Sequence, residues 1–352
     1  MEINNILKLA AEKQASDIHL LFGQPPIFRI SGELFDINQV VKGGGFTVLK
    51  VADLESFIGV ILDREQKKRF LENRDLDLGY QLDDYRYRIN FSFEKGHIKI
   101  VARVITDQDP TLAELGMPSV LEKILSLHQG LILVTGPTGC GKSTTLAAMV
   151  NYINANSSVN IVTLEDPVEY IFKPKKSIIS QRQLGTDMVS FASGLKHALR
   201  QDPNVIMVGE MRDFETISTA VTLAETGHLV LATLHTYSAA QTIDRIIDIF
   251  PPHQQNQIKS QLSFVLTAIV SQRLIPKIGG GRVAAREILL NNSAIANLIR
   301  EGKVAQIVSV IETGGNVGMI TLDKHIKQLY QDGIIDREAA LGQMQYPDTL
   351  ED

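Results

Sequence analysis

The residues best suited to chemistry lie between positions 131 and 144, in the stretch LILVTGPTGCGKST. An apolar run leads into a glycine-rich turn that fits the pattern G-x-x-x-x-G-K-[ST]. Glycines let the backbone curl closely around phosphate groups, and the N–H groups of the turn and of the following helix favour negative charge. The lysine of this pattern reaches the β- and γ-phosphates, and the hydroxyl binds Mg²⁺. The pattern therefore predicts nucleotide binding at Gly136, Thr138, Gly139, Cys140, Gly141, Lys142, Ser143 and Thr144.

Acidic residues follow two predicted strands further along the chain. Glu165 and Asp166 come directly after the strand predicted at 159–164, and Glu210 follows the strand predicted at 205–208. Ligands of open α/β sheets bind outside the carboxyl ends of the strands, so we expect these carboxylates near the phosphates. One could orient the attacking water and the other support Mg²⁺, and the spacing does not assign the roles. A solvated acidic turn or a strand-end salt bridge is the alternative for either residue.

Histidines and arginines supply further candidates. His228 and His235 bracket the strand predicted at 229–233, and His235 could sense the γ-phosphate if that strand lies beside the phosphate loop. His228 could bind the nucleotide or could have a structural role. Arg88 and Arg103 lie on successive predicted strands of the N-terminal region. Arginines of a separate domain can cancel charge on a transferring phosphoryl group, but exposed strand arginines are also common.

The predicted elements separate into two kinds of sheet. The N-terminal region is predicted to form an antiparallel sheet with helices on one face. Its predicted helices lie at 3–15, 52–62 and 64–73, and its predicted strands lie near 15–22 and at 27–30, 76–82, 85–93 and 97–105. The following region is predicted to form a parallel sheet buried on both faces, because its apolar strands alternate with helices. These strands are predicted at 130–135, 159–164, 205–208 and 229–233. We therefore predict an α/β chain with an N-terminal α+β domain at 1–106, a linker at 107–117, a nucleotide-binding core at 118–291 and a helical region at 292–352.

Composition narrows the class of protein. The chain has 352 residues, 44% of them hydrophobic and 21% charged, which is typical of a soluble globular protein. Its formal net charge of −5 does not suggest nucleic-acid binding. The N-terminus lacks the apolar core of a signal peptide, and the apolar run at 262–270 is too short to span a bilayer. We expect a cytoplasmic protein that can dock on a membrane complex.

The single cysteine, Cys140, excludes an intrachain disulfide and a four-cysteine zinc site. Its position beside phosphate-binding amides and Lys142 could favour the thiolate. The alternative is a small residue that simply fills the loop.

Together these motifs resemble the secretion and type IV pilus ATPase superfamily over essentially the whole chain. The stretches ASDIHL (15–20), PP (25–26) and RISG (29–32) are similar to its opening domain, and GPTGCGKST is similar to its Walker A loop, with Cys140 where serine is usual. TLEDPVEY (163–170) resembles its Asp box, GEMRD (209–213) its Walker B and TGHLVLATLHT (226–236) its His box. Arg88 and Arg103 fall where the family keeps its intersubunit arginines. AIANLIRE (294–301) and GMITL (318–322) resemble segments of its pilus retraction branch, with Ala296 in place of an arginine.

The resemblance implies a PAS-like first domain, a RecA-like second domain and a six-subunit ring. ATP would sit at the interdomain cleft, and hydrolysis would change the angle between the domains. The motion would pass to an inner-membrane platform protein at the base of the pilus. The resemblance therefore implies an Mg²⁺-dependent hexameric ATPase that powers type IV pilus retraction at the cytoplasmic face of that membrane. Lys142 and Ser143 would bind phosphate and metal, Glu165 would be the base for water, and Glu210 would support Mg²⁺. His235, Arg88 and Arg103 would assist.

Other functions remain open at this point. An accessory retraction ATPase would be weakly active alone. A pilus extension or type II secretion ATPase usually carries a longer N-terminal region and a zinc insertion. A nucleic-acid translocase could use the same core, although the acidic balance argues against it. A non-hydrolysing ring scaffold is opposed by the intact acids.

Overall fold

The computed structural model describes residues 2–30, 32–41, 45–105 and 109–350. The chain divides into two compact units, one formed by Met1–Gln108 with Pro167–Ile171 and the other by Asp109–Asp166 with Phe172–Asp352. The end of the predicted first domain, Thr106, and the start of the predicted linker, Asp107 and Gln108, lie outside the described residues. The domain boundaries inferred from the sequence stay predictions.

The first unit is built on an antiparallel sheet. Within the described ranges, six strands lie in the order β3-β2-β1-β6-β5-β4. Their bounds are β1 Asp17–Leu20, β2 Ile27–Ile30, β3 Glu33–Asp36, β4 Asp75–Leu82, β5 Tyr85–Glu94 and β6 His97–Ile105. The helices of this unit are α1 Ile3–Glu12, α2 Ile37–Val40, α3 Val51–Ile61 and α4 Arg64–Asn73.

The core of the first unit follows from the two-residue period of its strands. β5 buries Tyr87, Ile89 and Phe91, whose side chains all fall on one face of the sheet. The phenol of Tyr87 is fully buried and donates a hydrogen bond to the carbonyl of Leu7 in α1, at 3.0 Å. This contact ties the N-terminal helix to the sheet face that carries the core.

The second unit is built on a mostly parallel sheet. Seven strands of the described chain lie in the order β13-β12-β7-β11-β10-β8-β9. Their bounds are β7 Gly130–Thr135, β8 Asn160–Glu165, β9 Ile178–Gln183, β10 Val205–Val208, β11 Leu229–Leu234, β12 Leu266–Pro276 and β13 Arg282–Leu290. β13 pairs antiparallel with β12, and the other neighbouring strands pair parallel.

Helices connect these strands and continue to the C-terminus. They are α5 Val120–Ile124, α6 Lys142–Asn156, α7 Phe191–Ala198, α8 Phe214–Glu225, α9 Ala239–Asp248, α10 Gln255–Val265, α11 Ser293–Glu301, α12 Ile307–Thr313, α13 Leu322–Gln331 and α14 Arg337–Leu341. Short 3₁₀ turns lie at Pro252–Gln254, Val304–Gln306, Gly315–Val317 and Pro347–Leu350. In the residues that the structure describes, no helix is long and apolar enough to cross a membrane.

The α/β fold class is confirmed, but the sequence pattern did not predict every strand. β3, β9, β12 and β13 were not predicted. β12 carries a buried glutamine and β13 a buried arginine and glutamate, and these polar residues interrupt the apolar runs that mark a buried strand. The antiparallel edge strand β13 also means that the sheet is mixed and not purely parallel.

Candidate functional site

The phosphate loop connects the buried strand β7 to α6. Its glycines take backbone angles that other residues rarely adopt, with φ of +142° at Gly136 and +90° at Gly141. A Cβ at Gly136 would lie 2.3 Å from the backbone carbonyl oxygen of Gln272 in β12. Gly136 is required by both the space and the backbone conformation, and Gly141 is favoured by its backbone conformation.

The ammonium group of Lys142 is held inside the loop. It donates hydrogen bonds to the carbonyl oxygens of Gly136 at 2.8 Å and Pro137 at 3.0 Å. Its Nζ also lies 3.4 Å from Nδ1 of His235. The positive charge thus sits where the motif requires it, at the first turn of α6.

His235 links Lys142 to an acid. It follows β11, which pairs with β7 on one side and β10 on the other. Its Nε2 lies 3.3 Å from Oε2 of Glu210. Because an ammonium group only donates, Nδ1 must accept from Lys142, and the imidazole proton then sits on Nε2 and faces the carboxylate. The result is a continuous polar connection from Lys142 through His235 to Glu210.

The backbone on either side of Glu210 is fixed by β11. The hydroxyl of Thr233 donates to the carbonyl of Gly209, and the N–H of Met211 donates to the carbonyl of Thr233 at 3.0 Å. The Glu210 carboxylate also pairs with the guanidinium of Arg212 at 2.6 Å. The acid is therefore oriented by contacts within the protein.

Glu165 is the last residue of β8 and is 6% exposed. Its Oε1 accepts hydrogen bonds from the hydroxyl of Thr163 at 2.7 Å and from the amide of Gln181 at 3.0 Å. The N–H of Gly209 donates to Leu164 at 2.8 Å, which places the end of β8 against the residue that precedes Glu210. The two acids inferred from the sequence therefore lie at the carboxyl ends of neighbouring parallel strands.

The donors available for Mg²⁺ are oxygen atoms. Ser143 lies in the first turn of α6 with an exposed side chain, and Glu210 supplies a carboxylate. Hydroxyl and carboxylate oxygens suit Mg²⁺, which usually takes few protein ligands and shares its sphere with phosphates and water. Among the described residues, no group of three or more His, Cys, Asp or Glu could hold a metal by itself. The residues present fit a metal ion that arrives with a nucleotide.

A cavity of about 420 Å³ lies beside the phosphate loop. Residues 137–140 form one wall, and Tyr237, Arg273 and Arg282 contribute others. The Arg273 guanidinium lies over the Tyr237 ring at 5.9 Å and donates to the carbonyl of Gln343 at 3.0 Å. A ligand at the loop thus has open space and cationic neighbours on this side.

Cys140 does not have the environment of a reactive thiol. It is 3% exposed, and burial raises the pKa of its thiol despite the nearby charge of Lys142. The hypothesis that the loop favours the thiolate of Cys140 is therefore wrong, because burial raises the pKa of this thiol. The interpretation of Cys140 as a small residue that fills the loop agrees with this burial.

We predict that Cys140→Ser keeps the rate of ATP hydrolysis within about twofold of the wild type, because a protonated buried thiol acts mainly through its size. Steady-state hydrolysis by both purified proteins checks this. Labelling of the native protein at pH 7.5 should be slow compared with the unfolded chain. Rapid labelling of the native thiol, or a large loss of activity in the serine variant, would contradict this account.

His228 is not brought to the phosphate loop. It precedes β11, and its carbonyl accepts a hydrogen bond from the N–H of Gly130 at the start of β7. Because β7 and β11 run parallel, His228 lies at the opposite end of the sheet from Gly136. Its Nδ1 lies 3.1 Å from the carbonyl of Leu223. The prediction that His228 binds nucleotide is corrected to a structural role at the end of α8.

Arg88 and Arg103 belong to the first unit, where they occupy paired positions on β5 and β6. Arg88 forms ion pairs with Asp77 at 3.6 Å and Glu169 at 3.8 Å. Arg103 forms an ion pair of 2.9 Å with Asp17 in β1. The two arginines share one face of the sheet, and their action on a nucleotide stays a prediction.

The segment that resembles the retraction branch forms α11. Asn292 caps its N-terminus, Gly302 ends it, and Ile295 and Ile299 form its buried side. Arg300 lies over the ring of Phe264 at 5.9 Å. The segment is an amphipathic helix with an exposed polar side, as its sequence pattern also allows.

Sequence reasoning missed the contributions of β9 and β12 to this site. Gln181 donates to Glu165, and Gln272 contacts the phosphate loop. The signal for β12 and β13 was the glycine run 279–281 between the apolar segments, which is typical of a connection between paired strands. No sequence signal marked the glutamines themselves.

Known proteins resemble this chain over nearly its full length. The family model described as type II/IV secretion system protein matches residues 1–297. The type IV pilus retraction ATPase PilT of Pseudomonas aeruginosa is 44% identical over 99% of this chain and 100% of its own length. The type IV pilus ATPase PilU of the same organism is 38% identical over 97% of this chain and 88% of its own length.

A solved structure shares the fold over the full chain. A crystal structure of the pilus retraction motor PilT with bound ADP superposes with a TM-score of 0.92 and 43% sequence identity. The match covers 100% of this chain and 99% of the other.

Proposed function

The chain belongs to the type II/IV secretion system protein family, and we propose on this premise that it is an Mg²⁺-dependent ATPase that powers type IV pilus retraction. The connection from Lys142 through His235 to Glu210 carries the hydrolysis part of the proposal. It joins the phosphate-binding lysine to an oriented acid on a neighbouring strand end, and ATP hydrolysis uses both kinds of group, one on the phosphates and one on the metal ion or the water. The relatives' names support the retraction part.

The roles proposed for the residues follow the geometry. Lys142 and the loop amides bind the phosphates, with Thr138, Gly139 and Thr144 as further parts of the same cradle. His235 responds to the γ-phosphate, because that group would compete for the Lys142 ammonium that now faces Nδ1. The loop carbonyls release Lys142 to the nucleotide when phosphate enters.

The two acids divide the remaining work. Glu165 serves as the base that orients the attacking water, and Glu210 supports the metal site together with Ser143. When bound, Mg²⁺ neutralises charge on the β- and γ-phosphates. Arg88 and Arg103 are proposed to add positive charge to the transferring phosphoryl group, as the family resemblance implies.

The proposed assembly is a homo-hexamer that works with the pilus machinery. The ring would dock on the inner-membrane platform protein from the cytoplasmic side. The resemblance of residues 294–301 and 318–322 to the retraction branch supports this assignment. The PilT relative also shares more identical residues with the chain than the PilU relative does, at 44% against 38%.

Hydrolysis by the purified full-length chain tests the proposed activity. We expect it to hydrolyse ATP alone with added Mg²⁺, to stop on chelation by EDTA, and to respond to neither DNA nor RNA. Weak activity that rises only with a second retraction ATPase would favour the accessory role instead. Stimulation by nucleic acid would favour a translocase, and no hydrolysis under any of these conditions would favour a scaffold.

A further inference from the structure

Gln272 of β12 connects two parts of the phosphate loop through one side chain. The residue is 2% exposed. Its Oε1 accepts a hydrogen bond from the hydroxyl of Thr145 at 3.0 Å, and its Nε2 donates to the carbonyl of Cys140 at 2.7 Å. Thr145 lies in the first turns of α6 and is itself 2% exposed. A single buried amide thus joins the tip of the loop to the helix that follows it.

β12 lies beside the end of β7 and beside the phosphate loop. The hydroxyl of Thr135, at the end of β7, donates to the hydroxyl of Ser271 at 2.8 Å. Gly136 then passes so close to the Gln272 carbonyl that no Cβ fits. At Gly141 a Cβ would lie 3.2 Å from the Gln272 amide nitrogen. β12 therefore lies against both ends of the loop.

We propose that Gln272 is a positioning residue that sets the direction of the loop peptides for phosphate binding. The peptide between Cys140 and Gly141 is planar and trans, so its carbonyl and its N–H point in opposite directions. Because the carbonyl is held by Gln272, the Gly141 N–H is directed away from β12. A loop that keeps this orientation without a ligand pays less ordering cost when phosphate binds.

The proposal makes nucleotide affinity depend on an amide that does not touch the nucleotide. Gln272→Met keeps a similar volume and removes both hydrogen bonds, so it should weaken ADP binding at least about tenfold. Ser271→Ala is the matched control, because it removes a buried hydrogen bond from the preceding residue of the same strand, and the partner, Thr135, belongs to β7 and not to the phosphate loop. It should leave ADP affinity nearly unchanged.

A second variant separates positioning from stability. The double variant combines Gln272→Met with Thr145→Val, so that both ends of the Thr145 hydrogen bond are apolar. Its melting temperature without nucleotide should recover part of any loss that Gln272→Met causes alone. ADP affinity should not recover, because the Cys140 carbonyl still lacks its donor. Fluorescent ADP titration and thermal melting of the full-length proteins provide the two readouts.

The inference rests on the proposed nucleotide site but is tested separately from hydrolysis. Wild-type ADP affinity in Gln272→Met would overturn it, as would recovery of affinity together with stability in the double variant. A wild type that binds ADP but hydrolyses no ATP would defeat the proposed function and leave the test of Gln272 intact. A wild type that binds no ADP would overturn both.

Discussion

Lys142→Ala is expected to abolish ATP hydrolysis, with a loss of at least about 10³-fold, the upper range for removing one preorganised donor to developing charge. The reason is that Lys142 is the cation held within the phosphate loop, on the carbonyls of Gly136 and Pro137. Its removal takes away the charge that meets the β- and γ-phosphates. Steady-state hydrolysis at saturating Mg²⁺ and a range of ATP concentrations measures the effect.

The matched control for this variant is Lys196→Ala. Lys196 is an exposed lysine of α7 that pairs with Glu215. The Lys196→Ala substitution removes the same positive charge from the same unit of the protein without touching the loop. We expect near-normal hydrolysis from the control, and near-normal hydrolysis by Lys142→Ala would refute the assignment of the loop.

Glu210→Gln and Glu165→Gln are each expected to lower kcat by about 10²-fold or more, the range for a positioned acid or base. Glutamine keeps the size of each side chain and removes its charge. If Glu210 supports the metal site, its variant should also need more Mg²⁺ for half-maximal activity. If Glu165 serves the water, its variant should lose kcat with little change in Mg²⁺ dependence.

The Mg²⁺ titration decides between the two assignments. Glu215→Gln, on the exposed surface of α8, makes the same substitution away from the site and should retain both kcat and Mg²⁺ dependence. An opposite pattern, with the shift in Mg²⁺ dependence at Glu165, would exchange the two roles. Normal turnover in both variants would remove the acids from the mechanism.

The sequence was most informative where local pattern and chemistry agree. The strand Gly130–Thr135 was predicted with its observed bounds, because a continuous apolar run leads into glycines that only a tight loop requires. His235 was placed near the loop because its strand was expected to neighbour β7, and that pairing is confirmed. Arg88 and Arg103 were assigned to successive strands, and the structure pairs them directly.

The sequence was less informative where a contact depends on register or on distant segments. The hydrogen bond between Gln272 and Cys140 joins residues that lie 132 positions apart in the sequence, and no local pattern encodes that contact. His228 shows the converse error, because it precedes β11 and therefore lies at the amino end of a parallel strand, away from the phosphate loop. The direction of a parallel strand decides whether such a residue meets the ligand, since only the carboxyl ends do so.

Surface pili in a strain that lacks this protein test the central claim most directly, with twitching scored alongside. We predict excess pili and lost twitching, reversed by the wild-type gene and not by Lys142→Ala. That result would show that the protein removes pili and that hydrolysis is needed for it. Cells without pili would contradict the account, because the protein would then build pili, as an extension ATPase does.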